Sequence, residues 1–235
     1  MHIFNPKINL LTIEADMNKK IIALVSLTLS LNAFAIQPTN LATDKKDIKQ
    51  YVNSGQYNQD ISAITTQAQT YLAKRVSENK QLAQPKKLAI VLDIDETSLS
   101  NYPDMTKLDF GGTMKTINEK EGEGHDPAIK PTLALYNYAK NNHVAVFFIT
   151  GRRENERANT IKNLQAAGYK NWNGLYLKPQ NFQAKTASAY KTKIRQAITK
   201  QGYDIVLNMG DQQSDLNGGF ADKTYKLPNP FYLVP

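Results

Sequence analysis

The 235-residue chain contains no cysteine. That absence excludes disulfides, thiolate metal centres, a cysteine nucleophile and a lipid anchor on an N-terminal cysteine. It leaves export open. The chain also lacks internal repeats, low-complexity tracts and any apolar run long enough to span a bilayer comfortably. No nucleic-acid motif and no interleaving of basic and aromatic residues accompanies the net charge of +8. The dispersed lysines therefore read as a solvated basic surface with some pull on anions, and nucleic acid is not expected as a partner. A hydrophobic content of 41% is that of an ordinary globular protein. The length allows one domain, with or without a cap, and an ample core.

The N-terminus carries an export pattern. Met17-Asn18-Lys19-Lys20 is a basic start, Ile21 to Leu31 a short apolar core, and Ala33-Phe34-Ala35 a small-x-small cleavage site. Removal after Ala35 is expected, with Met1 to Asp16 as an upstream extension, and no stable membrane anchor would remain. The segment takes three lysines and two acids with it, so the net charge falls from +8 to +7. The expected location is periplasmic or secreted.

What the chain does have is concentrated in Leu88-Ala89-Ile90-Val91-Leu92-Asp93-Ile94-Asp95-Glu96-Thr97. A short continuous apolar run reads as a strand buried on both faces of a parallel sheet. Carboxylates are too costly to leave unpartnered in such a run, so Asp93 and Asp95 should emerge at its carboxyl end, where ligands of open α/β sheets sit. Alternation on an extended chain puts both on the same side. Two such acids can bind a hard cation, attack an electrophile, or divide acid and base duties.

The remaining elements follow in order. Ile36 to Lys46 reads as a polar arm. Asp60 reads as the N-cap of an amphipathic helix to about Gln81, with Ile61, Ile64, Ala68, Tyr71, Leu72 and Val76 on its core face. Ser100 to Ile129 shows no clear period and reads as a lid or specificity insertion, with His125 a solvated loop residue. Pro131 opens a helix. Val144 to Ile149 is a second strand that runs into Thr150-Gly151-Arg152-Arg153, and the next helix, with Ala158, Ile161 and Leu164 inward, stops at Gly168. Free N–H groups at that strand-to-helix junction favour an anion, phosphate in particular. Leu175 to Leu177 is a short strand. Thr186 caps a helix with Tyr190, Ile194, Ala197 and Ile198 inward. Ile205 to Leu207 is a fourth strand followed by Gly210-Asp211-Gln212-Gln213-Ser214-Asp215, and Thr224 to Leu227 a final edge strand. Alternating helices and strands imply a three-layer α/β sandwich with a mostly parallel central sheet, a small cap insertion at about 100–130 and an N-terminal helical segment. The expected divisions are 1–35, 36–85 and 86–235.

Four words on this rim, Asp93-Ile94-Asp95-Glu96-Thr97, Thr150-Gly151-Arg152, Tyr190-Lys191 and Gly210-Asp211 with Asp215, resemble motifs one to four of the haloacid dehalogenase superfamily. Leu99-Ser100-Asn101, Gly210-Asp211-Gln212, Ser214-Asp215-Leu216 and the Lys226-Leu227-Pro228-Asn229-Pro230 tail are similar to the class B acid phosphatase family, which includes plant vegetative storage proteins. The likeness spans Lys86 to the C-terminus and is expected to take in the preceding helix, and four motifs in order are specific where one would be weak.

The resemblance implies a mechanism. Asp93 would attack the phosphorus of a small phosphomonoester, nucleotides included, and form an aspartyl-phosphate. Asp95 would give a proton to the leaving oxygen and later take one from water, which implies an acidic optimum for the first half-reaction. Mg²⁺ would be held by the Asp93 carboxylate, the Asp95 carbonyl and the Asp211 carboxylate. Thr150 and Gly151 would orient the phosphoryl oxygens, and Lys191 would neutralise them, with Lys185 and Lys193 as rivals. Asp215 would support Lys191 or a metal-bound water. Two other readings share the scaffold: a binding or storage protein, against which the intact Asp93 argues, and a phosphotransferase to alcohols. Tyr102, Phe110 and Tyr225 offer faces for an aromatic leaving group, though core packing suits each equally. Relatives can complete their sites as homo-oligomers, and no stretch of this sequence identifies an interface.

Overall fold

The strand expected at Leu88 to Leu92 is the centre of the molecule. In this computed structural model, which describes residues 38–113, 116, 119, 123–182 and 186–234, β1 (Lys87–Leu92) is buried from Leu88 onward. The export pattern at residues 17–35 and Lys185 lie outside the described residues. The chain divides into two units, Met1–Asn40 and Leu41–Pro235, and all that follows concerns the second.

β2 (Ala145–Arg153), β3 (Gly174–Lys178), β4 (Tyr203–Gly210) and β5 (Lys223–Lys226) join β1 in the order β3-β2-β1-β4-β5. Each pairing is parallel, so five carboxyl ends share one rim. Register places Leu92 beside Phe148 on one side and Met209 on the other. Side chains alternate along β1, which gives it two cores. Leu88, Ile90 and Leu92 join one cluster with Ala68, Leu72, Leu135 and Ala139, while Ala89 and Val91 join another with Tyr190 and Ile198. The first layer is α2 (Gln56–Lys80) with α4 (Lys130–Asn141); on the opposite face lies α6 (Ala187–Lys200). The three-layer α/β sandwich is therefore as expected.

Several boundaries differ from the sequence reading. The polar arm gives way at Leu41 to a helix, α1 (Leu41–Asn53), because Lys45 and Lys49 reach Asp109 at 2.7 and 3.2 Å and Tyr51 and Val52 pack on the core. α2 starts at Gln56 rather than after Asp60, since Gly55 adopts φ 85° and turns the chain there. Asp60 is not a cap. Its carboxylate accepts Tyr51 Oη at 2.5 Å and Gln56 Nε2 at 2.7 Å. β2 runs beyond Ile149 to Arg153, where pairing resumes with Lys178 after an irregularity. In α5 (Arg157–Ala166) the buried residues are Thr160, Asn163 and Leu164, and Ala158 is exposed.

Thr186 caps α6 by accepting the Ala189 N–H at 3.3 Å. Its buried face includes Lys191 and Arg195 as well as Tyr190 and Ile198. Arg195 is fully buried, and its guanidinium donates to the carbonyls of Gly219, Asp215 and Asn217. The first of these lies after α7 (Gln213–Leu216), the second within it and the third just past its end, so one charged side chain ties α6 to the short helix that carries the last rim acid and to the turn after it. The insertion after β1 holds α3 (Tyr102–Lys107). Its two ends are stitched together: Ser100 N donates to Pro127 O and Ile129 N to Ser98 O, both at 2.9 Å. Among the described residues, no helix is long and apolar enough to cross a membrane.

Candidate active site

Asp93 follows directly on β1, its N–H donating to Met209 O of β4 at 3.0 Å. The chain then turns tightly. Thr97, Ser98 and Leu99 all donate backbone N–H groups to Ile94 O, and Ser98 Oγ donates to Asp93 O at 2.6 Å. Glu96 takes the left-handed conformation, φ 51°, that this turn requires. The turn presents Asp93 and Asp95 to one cavity of about 660 Å³, which Lys191, Asp211 and Asp215 also line. A volume of that size suits a small ligand.

Lys191 comes in from α6. Its Nζ donates to Asp93 Oδ1 at 2.5 Å and to Asp215 Oδ1 at 2.6 Å, with all three side chains buried. Burial works against its charge, but Asp93 and Asp215 outweigh that and raise its pKa, so the ammonium is held protonated. Lys193, one of its rivals, is exposed. Asp215 owes its position to Gly210: a Cβ there would lie 2.4 Å from Asp215 Cβ. The Asp215 carboxylate also accepts the Gln212 N–H at 2.8 Å.

Asp93 has the opposite problem. Burial raises its pKa well above the carboxylate range, Lys191 opposes this, and Asp215, Asp211 and Asp95 push it further up. Asp211 is likewise raised, by burial and then by Asp215. Carboxylate oxygens of Asp93, Asp211 and Asp215 lie within 4.8 Å of one another. With Asp95, four carboxylates face Lys191 and Arg152. This all-oxygen donor set with surplus negative charge fits a hard divalent cation, the chemistry that suits Mg²⁺.

Asp95 is kept apart from that cluster. Arg152 grips its carboxylate through Nε at 3.1 Å and a terminal nitrogen at 2.7 Å, and Asn101 Nδ2 adds a bond at 3.0 Å. Burial raises its pKa, but Arg152's charge, then the hydrogen bonds of Arg152 and Asn101, hold it below the usual range. The free site therefore favours an ionised Asp95, not the protonated acid that the sequence argument requires. Arg152 is itself backed by Asp126, at 3.3 Å, which Asn163 holds at 2.8 Å. Burial lifts Asp126 to about 6.

Glu96 is fully buried next to this pair. It accepts the Asn101 N–H at 2.7 Å and Tyr232 Oη at 2.5 Å. Burial, followed by the charge of Asp95, pushes it up to about 8. The phosphate-ligand expectation divides. Gly151 is exposed, lines the cavity and has no atom within 4 Å of where a Cβ would stand. Thr150 is buried inside the prolonged β2, accepts the Arg152 N–H at 3.1 Å and does not line the cavity. Sequence reasoning gave no role to Arg152, Asn101, Gln212 or Asn229, although each stood in a quoted motif, and passed over Asp126 and Tyr232. His125 is exposed and outside the cavity lining.

A family model described as HAD superfamily, subfamily IIIB (Acid phosphatase) matches residues 9–235. The chain is similar to the Stem 28 kDa glycoprotein of Glycine max, 36% identical over 192 residues that make up 79% of this chain and 73% of that protein. It is 34% identical to Acid phosphatase 1 of Solanum lycopersicum over 193 residues, 80% of this chain and 73% of that one. Vegetative storage protein 1 of Arabidopsis thaliana is 32% identical over 78% of this chain and 67% of its own length. In fold it matches the class C acid phosphatase from Bacillus anthracis with a TM-score of 0.66 and 24% identity, covering 83% of this chain and 87% of that one.

Proposed function

Because the chain belongs to the HAD superfamily acid phosphatases of subfamily IIIB, we propose that it hydrolyses small phosphomonoesters through an aspartyl-phosphate on Asp93, with Mg²⁺ as cofactor. The observation that carries this reading is Asp93 at the tip of β1, within 2.5 Å of the Lys191 ammonium and grouped with Asp211 and Asp215 in an open cavity. In the free protein that carboxylate is pressed toward its neutral form, and a neutral acid is no nucleophile. Asp93 and Asp211 would hold the cation, together with the Asp95 carbonyl. A bound cation would supply the positive charge that lets an anionic carboxylate approach an anionic phosphate.

The protein's own groups divide the remaining work. Asp93 Oδ attacks phosphorus as the bond to the leaving oxygen breaks, and Asp95 gives that oxygen its proton. Water then attacks the phosphorus of the aspartyl-phosphate, Asp95 takes the proton back, and Asp93 is released with inorganic phosphate. Lys191 faces charge that spreads onto the phosphoryl oxygens, and the exposed Gly151 at the cavity wall would donate its N–H to one of them. An arriving phosphate competes for Arg152 and loosens its grip on Asp95, which favours the proton that the first step needs. Thr150 acts through Arg152's backbone in this scheme.

The test is phosphate release from p-nitrophenyl phosphate at acid pH, with Mg²⁺ or with EDTA. Turnover is expected with the metal and should return to background with the chelator. Equal rates in both would sink the cation's role. Export belongs to the same proposal, on the strength of the basic start, apolar core and Ala33-Phe34-Ala35. A mature intact mass beginning at Ile36 is expected, and an uncleaved chain in the exported fraction would count against it.

A further inference from the structure

The segment after β5 folds back across the rim. Asn229 Nδ2 donates to Asp211 Oδ2 at 2.7 Å, while Asn229 Oδ1 accepts the N–H groups of Phe231 at 2.8 Å and Tyr232 at 3.3 Å. Tyr232 Oη is bound to Glu96 at 2.5 Å, and Val234 N donates to Gln212 Oε1 at 3.0 Å. Phe231 packs against Tyr57 at 5.4 Å, Tyr102 at 5.5 Å and Phe110 at 6.2 Å between ring centroids. Residues 228–234 thus form a strap anchored at the ends of both central strands and against the insertion.

Asp211 is where this strap meets the site. Its Oδ1 accepts Thr97 Oγ1 at 3.1 Å, and its Oδ2 accepts Gln212 Nε2 at 2.6 Å and Asn229 Nδ2 at 2.7 Å. A carboxylate offers about four lone-pair directions, so three donors fix its plane and leave Oδ1 one direction for a further ligand. Thr97 and Gln212 belong to the rim motifs themselves. Asn229 reaches in from the strap, and its own orientation is set by the turn it closes with Phe231 and Tyr232.

We propose that Asn229 is a positioning residue of the cation site: by saturating Asp211 Oδ2 it presents Oδ1 to a divalent cation, and the strap exists in part to hold Asn229 there. The inference rests on the reading that Asp93 and Asp211 hold a cation, but not on hydrolysis. A partner that orients a ligating carboxylate commonly changes metal affinity by about 10–100-fold. Were Asn229 only a tether for the strap, its loss would lower stability without touching affinity.

The experiment is calorimetric titration of Mg²⁺ into the full chain, its Asn229→Ala variant and its Tyr232→Phe variant, with circular dichroism showing each to be folded at the titration temperature. Asn229→Ala should bind Mg²⁺ about 10–100-fold more weakly. Tyr232→Phe, which releases the other anchor of the strap, should bind it nearly as the wild type does. Unchanged affinity in Asn229→Ala, equal weakening in both variants, or no Mg²⁺ binding by the wild type each overturns the proposal. Should Asn229→Ala fail to fold, Asn229→Ser is read in its place, since it keeps an acceptor for the Phe231 N–H and is too short to reach Asp211. A wild type that binds Mg²⁺ but hydrolyses no monoester sinks the phosphatase reading and leaves the Asn229 comparison to be decided by its own result.

Discussion

Asn in place of Asp93 should remove phosphate release by at least about a thousandfold, some 4 kcal/mol of barrier, while the protein stays folded and melts no lower. The two halves of that result have one cause. Asp93 is buried beside three other carboxylates, and burial first, then their repulsion, raises its pKa beyond what Lys191 offsets. Removing its charge ends the nucleophile and also relaxes the crowding, because Asp215 still pairs with Lys191 at 2.6 Å. Active sites commonly hold such unfavourable arrangements at the expense of stability. Phosphate release with saturating Mg²⁺ and thermal melting without added metal, each for Asp93→Asn beside the wild type, check it. Turnover that survives would mean another nucleophile; a large drop in melting temperature would mean that the Asp93–Lys191 pair is chiefly structural.

Lys191→Met should do the reverse on stability and still damage activity. Methionine fills much of the same space but leaves Asp93 and Asp215 without their shared cation in a buried site. Breaking a buried pair by deleting one partner costs about 3–5 kcal/mol. The rate should fall by about 10²–10³-fold, the loss typical of one preorganised group that faces developing charge. Urea unfolding and steady-state kinetics measure the two effects separately. Saturating Mg²⁺ should restore part of the stability, since a cation shared by Asp93 and Asp211 relieves the same repulsion, and little of the rate. Full stability in the variant would mean that the carboxylates simply take up protons in its place.

The succession of strands along the chain and the identity of the central rim residues were legible because each signal is local; their order in the sheet was not. Leu88 to Leu92 is an uninterrupted apolar run, and Gly210-Asp211 follows another. The position of Lys191 could be named because Tyr190-Lys191 matched a motif, although periodicity alone marks Tyr190 and not its neighbour as inward. What escaped depends on distant pairings. β2 continues to Arg153 because Lys178 of another strand is there to pair with, and that extension is what buries Thr150 and turns Arg152 toward Asp95. Asp126 and Asn163, 37 positions apart, meet only once the insertion has closed on itself. A helix begins at Leu41 because Asp109 anchors its lysines. None of these has a mark in the sequence window around it.

The stitched base of the insertion sets how this scaffold can vary. Ser98, Ser100, Pro127 and Ile129 join backbone to backbone at 2.9 Å, so everything between them leaves and re-enters the core at one point. Closing a loop between neighbouring ends becomes costlier only slowly with length, by about 0.6 kcal/mol for each doubling. Apart from Asn101 and Asp126, which hold Asp95 and Arg152, the segment is therefore a replaceable module: a longer, shorter or differently folded graft of the same end spacing would reshape the cavity mouth with β1, β4 and the acids at their tips unchanged. Chemistry and selectivity are carried by separable lengths of chain, and a lineage can trade the second without reinventing the first.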